Sequence, residues 1–189
     1  MDARIETSVE ILKSKDFETD AHSFRVSELT KEWIQYMKSR QEWLDLEEYD
    51  LVLAARLHDI GKVGILDSVL QKPGPLTDEE RAHLNLHAEI GYELACDANV
   101  QEHLALAIRH HHERWDGKGY PLGLKEQEIP FFAQVISVVD AFDAITSDRP
   151  YQKARSESEA IQELRSNAAQ QFSPVLVDAF VKFLHARNG

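Results

Sequence analysis

The chain has 189 residues, of which 43% are hydrophobic and 29% are charged, and its net charge is −12. This length suits one domain with a hydrophobic core and is short for two. The acidic balance argues against a general nucleic-acid-binding surface, so we expect no DNA partner. No apolar run approaches the ~18 residues that cross a bilayer, which predicts no membrane insertion. A single cysteine, Cys96, excludes an internal disulfide and favours the cytoplasm.

Hydrophobic residues recur at spacings of three and four along almost the whole chain, which is typical of amphipathic helices. No run alternates as a strand would, and no internal repeat is visible. Thr77 and Glu80 form a capping-box pattern, and Pro130 suits the first turn of a helix. These signals predict an all-α single domain of about seven to eight helices. In chain order the predicted helices cover 5–12, 24–37, 46–57, a segment from 77, 100–112, 130–145, and segments that start at 156 and 173.

The segment LHDIGK, residues 57–62, closes an apolar helix with an imidazole and a carboxylate side by side. Neighbouring helical residues point about 100° apart, so His58 and Asp59 could hold two edges of one metal site. The Asp59 carboxylate could also bridge two cations. Gly61 suits a sharp turn, and Lys62 could reach a phosphate. The alternative is a solvated helix end with a glycine stop.

Further candidate ligands are histidines. His87 lies on the helix that Thr77 opens, although a lone histidine there is more often a packed residue; His83, one turn earlier, fits the outer edge. The run of three histidines at 110–112 would need partners or a metal if it were buried at neutral pH. A glycine-rich loop with two aromatic rings, Trp115 and Tyr120, follows this run. This combination favours a functional site.

Two acidic positions complete the candidate set. Asp140 follows an apolar stretch, where an unpaired charge would be costly to bury. The alternative is a polar helix face that Asp140 shares with Asp143. Glu18 and His22 are four residues apart and share one face if their segment is helical, although such pairs are common.

This ordered series of motifs resembles the HD-GYP family, a subgroup of the HD phosphohydrolases. The resemblance extends over roughly residues 5–183, and it implies a single HD-GYP catalytic domain over 1–189, folded as an HD-type helical bundle. Gln152 departs from the pattern, because the family usually has a basic residue there. The motifs that carry the resemblance are HSxRV from His22, HDIGKVGILD from His58, KPGPLT from Lys72, His87 with Gly91, HHERWDGKGYP from His111, and DAFDAITSDRPY from Asp140.

The resemblance implies a centre of two or three divalent metal ions, most often iron or manganese. Asp59 matches the bridging carboxylate, and Glu18 matches the ligand of a third ion, so we favour a trinuclear site. His110 lies outside the matching histidine pair and is left unassigned. The implied metal ligands are Glu18, His22, His58, Asp59, His87, His111, His112 and Asp140.

The implied activity is hydrolysis of cyclic di-GMP, a bacterial second messenger, to linear pGpG, GMP or both. A hydroxide that bridges two metal ions would be the nucleophile. The implied catalytic residues are Asp59 and Lys62. The alternatives are hydrolysis of another cyclic dinucleotide and a non-catalytic sensor or protein-interaction module.

The resemblance also suggests contacts with substrate and partners. Lys62 and Arg149 match substrate-contacting residues, and the rings of Trp115 and Tyr120 could stack on guanine or shape the entrance. The loop residues Gly119, Tyr120 and Pro121 are expected to contact diguanylate cyclase (GGDEF) domains. A homodimer is compatible with the sequence.

Overall fold

A computed structural model describes residues 3–148 and 153–187 of the chain. Within these ranges the regular structure is helical, which confirms the predicted all-α fold. No helix of this part of the chain combines the length and apolar character that crossing a bilayer requires. The α-helices are α1 (Ala3–Lys15), α2 (Phe17–Ser39), α3 (Glu48–Leu57), α4 (Asp67–Leu70), α5 (Asp78–Asn85), α6 (His87–Asp97), α7 (Glu102–His110), α8 (Phe131–Thr146), α9 (Glu157–Ser166) and α10 (Pro174–Arg187), with short 3-10 turns at Ile60–Gly64 and Glu126–Glu128.

The helix predicted to begin at Thr77 is divided into α5 and α6 at Leu86. The amide of Leu86 donates a tight i to i−3 bond to the His83 carbonyl. The carbonyl of Leu84, in turn, accepts a hydrogen bond from the imidazole of His87. The break therefore makes His87 the first residue of α6. The capping box that opens α5 is present as predicted, because the Thr77 hydroxyl accepts from the Glu80 amide and the Glu80 carboxylate accepts from the Thr77 amide.

Two hydrophobic clusters hold the helices together. The larger one centres on Trp33 of α2, which is fully buried and lies 4.8 Å from Phe180 between ring centroids. The smaller one joins α1, α3, α6 and α7, and it includes Leu57 and Ile60. These two side chains flank the His58-Asp59 pair in the sequence. Because both are buried, the backbone between them is held in place by apolar packing.

Gly61 is required because two backbones approach each other closely at this position. A positive φ angle is not the reason, because the described glycines with positive φ angles are Gly74, Gly117 and Gly123. A Cβ atom at position 61 would lie 1.9 Å from the His87 carbonyl oxygen and 2.5 Å from the Gly91 amide nitrogen. The turn at Ile60–Gly64 thus rests directly on the first turns of α6. This contact places Asp59 beside His87.

We predict that Gly61→Ala lowers the free energy of unfolding by about 3 kcal/mol, because the new methyl group overlaps a backbone oxygen that cannot move without α6. Gly64→Ala is the matched control in the same turn. Its Cβ would meet only the Ile90 side chain, at 3.0 Å or more, so the expected cost is below about 1 kcal/mol. Urea unfolding of both variants measures the difference. Equal stabilities for the two variants would contradict this explanation.

Candidate metal centre

Seven of the predicted metal ligands converge in the structure. They come from α2, the ends of α3 and α7, the start of α6 and the middle of α8, so widely separated segments contribute to one place. These residues form two groups. Each residue offers one ligand atom, and within a group all of these atoms lie within 4.8 Å of one another. The first group consists of Asp59, His87, His111 and His112, and the second of His22, His58 and Asp140.

Three of the histidines are oriented in the same way. The Nδ1 atom of each lies within hydrogen-bond distance of the backbone carbonyl three residues earlier, at 2.8 Å for His58 and 2.7 Å for His87 and for His111. A carbonyl can only accept, so Nδ1 carries the proton and Nε2 is the basic nitrogen. Each helix end thereby turns an unprotonated Nε2 towards the centre. Such supporting contacts are typical of metal-binding histidines.

Asp59 lies between the two groups. Its Oδ1 atom is 3.4 Å from Nε2 of His87 in the first group, and its Oδ2 atom is 3.3 Å from Nε2 of His58 in the second. Lys62 also reaches Oδ2, with its Nζ at 2.6 Å. Burial alone would raise the pKa of Asp59, but the charge of Lys62 keeps it well below its usual value. The carboxylate is therefore ionised and offers one oxygen to each group.

His22 is held by two carboxylates. Its Nε2 atom lies 2.9 Å from Oδ1 of Asp140, and its Nδ1 atom lies 2.7 Å from Oδ2 of Asp143. Burial alone would lower the pKa of His22, but these hydrogen bonds raise it to about 9 in the metal-free protein. Arg25 donates to both oxygens of Asp143 and so fixes the carboxylate behind the ring. Asp143 is thus placed to orient a predicted ligand.

The donor set fits divalent transition metals. The Nε2 atom of His58 is buried without a hydrogen-bond partner in the described residues, which is costly unless a cation binds there. Burial lowers the pKa of His87 and of His111, and it lowers the pKa of His112 to about 3. These imidazoles are therefore neutral and able to coordinate. Imidazole and carboxylate ligands without thiolate suit iron, manganese or zinc.

Glu18 belongs to neither group of ligand atoms. Its carboxylate accepts a hydrogen bond from Arg25 at 3.1 Å, and its side chain is 42% exposed. It lines a cavity of about 460 Å³ together with His22 and Lys62. Glu18 is thus near the second group but is paired with a cation of the protein. Its predicted role in holding a third ion stays a prediction.

The loop after the histidine run is tied down by Glu113, a residue that the sequence did not single out. Its buried carboxylate accepts hydrogen bonds from the amides of Leu122, at 2.8 Å, and Leu124, at 3.1 Å. The loop is thereby drawn back over the centre, and the Tyr120 ring lies 4.9 Å from the His112 ring. An acidic residue directly after the histidines was the only local signal of this contact.

The residues predicted to contact the substrate do not all line the same cavity. Lys62 and Tyr120 line a second cavity of about 470 Å³ on the side of His87 and His112. Trp115 lines a small void beneath the loop instead. Arg149 lies outside the described residues. Because Lys62 lines both larger cavities, they flank the ligand groups on two sides.

This helical domain with a buried centre of histidines and aspartates matches a known family. The model of the HD domain family covers residues 6–176. The chain belongs to the HD domain family, and its resemblance to the HD-GYP group is confirmed.

The chain is similar to several curated relatives. It is 40% identical over 171 residues to a cyclic di-GMP phosphodiesterase of Thermotoga maritima. The matched segment covers 89% of this chain and 45% of the relative. It is 33% identical to 3'3'-cGAMP-specific phosphodiesterase 2 of Vibrio cholerae, over 90% of this chain and 32% of that protein. The chain thus spans less than half the length of these relatives. A solved HDG"Y"P protein of Bdellovibrio bacteriovorus shares the fold, with a TM-score of 0.66 at 20% identity over 88% of this chain and 52% of that one.

We predict that Asp143→Asn lowers the pKa of His22 in the metal-free protein from about 9 to below about 8, because one anionic partner is lost. An NMR titration of the His22 ring measures this change. Since the pKa of folded His22 exceeds the usual value of 6.5, protonation stabilises the metal-free fold below about pH 6.5. That contribution is lost as the pH rises through 9. A His22 pKa that is unchanged in the variant would show that the Asp143 carboxylate does not stabilise the protonated ring.

Proposed function

We propose that this chain is a metal-dependent phosphodiesterase that hydrolyses cyclic di-GMP to linear pGpG, GMP or both. The observation that carries the proposal is the position of Asp59, whose two oxygens face two separate groups of nitrogen and oxygen ligands. Centres of this kind suit displacement at phosphorus. The 40% identity with a cyclic di-GMP phosphodiesterase supports the choice of substrate.

The two ligand groups support a centre of two divalent ions, with iron or manganese as the preferred metals. His87, His111 and His112 would hold one ion, His22, His58 and Asp140 the other, and Asp59 would contact both. When bound, such ions supply a nucleophile at neutral pH and neutralise the charge of a phosphate. Glu18 is our candidate ligand for a third ion, and its ion pair with Arg25 would have to open first.

The side chains around the centre prepare it for an anionic substrate. Lys62 lines both cavities beside Asp59, so its ammonium group can bind a phosphate placed there. Burial raises the pKa of Tyr120, so its phenol stays protonated and can donate a hydrogen bond to the substrate. The neutral His87 and His112 rings add no charge that repels cations. Fixed groups of this kind act without reorganisation during the reaction.

A second substrate class is favoured by one observation. A relative that covers 90% of this chain is named a 3'3'-cGAMP-specific phosphodiesterase. The mixed dinucleotide differs from cyclic di-GMP in one base, and both carry the same two phosphodiester groups. Turnover of cyclic di-GMP, 3'3'-cGAMP and cyclic di-AMP by the metal-loaded protein separates these substrates.

The remaining proposals concern the extent of the domain, its location in the cell and its protein partners. We propose that residues 1–189 act as one catalytic domain in the cytoplasm, where the free Cys96 would stay reduced. Gly119, Tyr120 and Pro121 stay our candidates for contact with GGDEF domains. The neighbouring Leu122 is 57% exposed, which suits a contact surface at this loop. A homodimer stays compatible with this arrangement.

We predict that Asp59→Ala lowers the turnover of cyclic di-GMP at least about 1,000-fold, because the variant loses the ligand shared by both groups. Bound metal should fall below half of the wild-type content. Asp97→Ala, at an exposed position of α6, is the matched control and should keep both properties. Nucleotide chromatography measures turnover, elemental analysis measures metal content, and circular dichroism shows whether each variant is folded. A folded Asp59→Ala protein with wild-type turnover would exclude the proposed centre.

A further inference from the structure

We propose that Arg81 and Lys118 form an anion subsite that binds the second phosphate of a cyclic dinucleotide. The subsite would select substrates with two phosphates over substrates with one. This inference rests on the proposed function and names how that same site chooses its substrate.

Both residues line the cavity on the side of His87 and His112. This cavity has a volume of about 470 Å³, within the usual range of ligand sites. Arg81 enters it from α5, and Lys118 enters from the loop before Gly119. Lys62 lines the same cavity, next to Asp59. The cavity therefore extends from the ligand groups to two further cations.

Arg81 and Lys118 have no carboxylate partner among the described residues. Two acidic residues close to them in the sequence are paired with other cations. Glu80 pairs with Lys72, at 2.5 Å, and Asp116 pairs with Arg114, at 2.9 Å. In a chain with a net charge of −12, two unneutralised cations in one cavity indicate a site for an anion.

The backbone that carries Lys118 is held tightly. A Cβ atom at Gly119 would lie 2.4 Å from the Arg114 amide nitrogen and 2.5 Å from the His112 carbonyl oxygen, so the loop packs against the end of α7. The Lys118 amide donates to Asp116 at 3.1 Å. Arg81 also lies near the loop. Burial raises the pKa of Tyr120, and the positive charge of Arg81 acts in the opposite direction. The loop backbone that presents Lys118 is thus fixed before any ligand binds.

A cyclic dinucleotide carries a second phosphate that a protein can use for recognition. Its two phosphodiester groups lie on opposite sides of one ring, so they cannot both contact Lys62 and the metal ligands. The two cavities that flank Lys62 differ in the balance of charge. The one with Arg81 and Lys118 has four basic lining residues against two acidic ones, Glu113 and Asp140, whereas the other has two of each sign. The one beside His22 contains the carboxylates of Asp16 and Glu18, and its Lys72 is paired with Glu80. The second phosphate is therefore favoured in the cavity of Arg81 and Lys118.

The test measures binding to the metal-loaded protein. A phosphorothioate analogue of cyclic di-GMP, which resists hydrolysis, is titrated calorimetrically into wild type, Arg81→Gln and Lys118→Gln, with cyclic GMP as the probe that has one phosphate. We expect each variant to bind the analogue about tenfold more weakly, because one charged hydrogen bond is lost. Cyclic GMP should bind within about twofold of wild type.

The matched controls are Arg165→Gln and Lys31→Gln, which change exposed cations of α9 and α2. Both should bind the analogue as wild type does. The subsite is refuted if wild type does not bind the analogue, if Arg81→Gln and Lys118→Gln bind it unchanged, or if they lose cyclic GMP equally. Turnover of cyclic di-GMP is measured separately. Absent turnover with retained selective binding would refute the proposed function and leave the subsite supported.

Discussion

The carboxylate of Asp59 lies between the two ligand groups, and the packing around it determines where the other ligands can be. It is almost fully buried, yet it stays ionised because the ammonium group of Lys62 lies 2.6 Å from it. A buried anion of this kind is strongly destabilising without such partners. The histidines of the first group are neutral and add no positive charge. Binding of divalent cations would supply it, which links the stability of this region to the proposed chemistry.

The backbone contact at Gly61 is the structural condition for this arrangement. The turn after Asp59 approaches α6 so closely that no side chain fits between them. The break before His87 then directs the first residue of α6 at Asp59. Behind the ligands, carbonyl groups and the Asp143–Arg25 pair fix the orientation of the rings. Rigid support of this kind keeps ligands in place before a metal binds.

Much of the fold was predictable from local patterns, because helical periodicity, the capping box at Thr77 and the candidate ligands are all visible in the sequence. Local patterns did not predict the contact between Asp143 and His22, which joins residues 121 positions apart. They also did not assign Glu113 to the amides of Leu122 and Leu124, since that contact depends on the path of the loop. Gly61 was recognised, but the reason for it was not, because the opposing carbonyl comes from another helix.

The most direct test of the central claim is anomalous X-ray diffraction from crystals of the metal-loaded protein. We expect one ion in each ligand group, with a different oxygen of Asp59 coordinating each, and any third ion near Glu18. A single bound ion would contradict this arrangement. Ions bound away from Asp59, with Lys62 still paired to the Asp59 carboxylate, would contradict it as well.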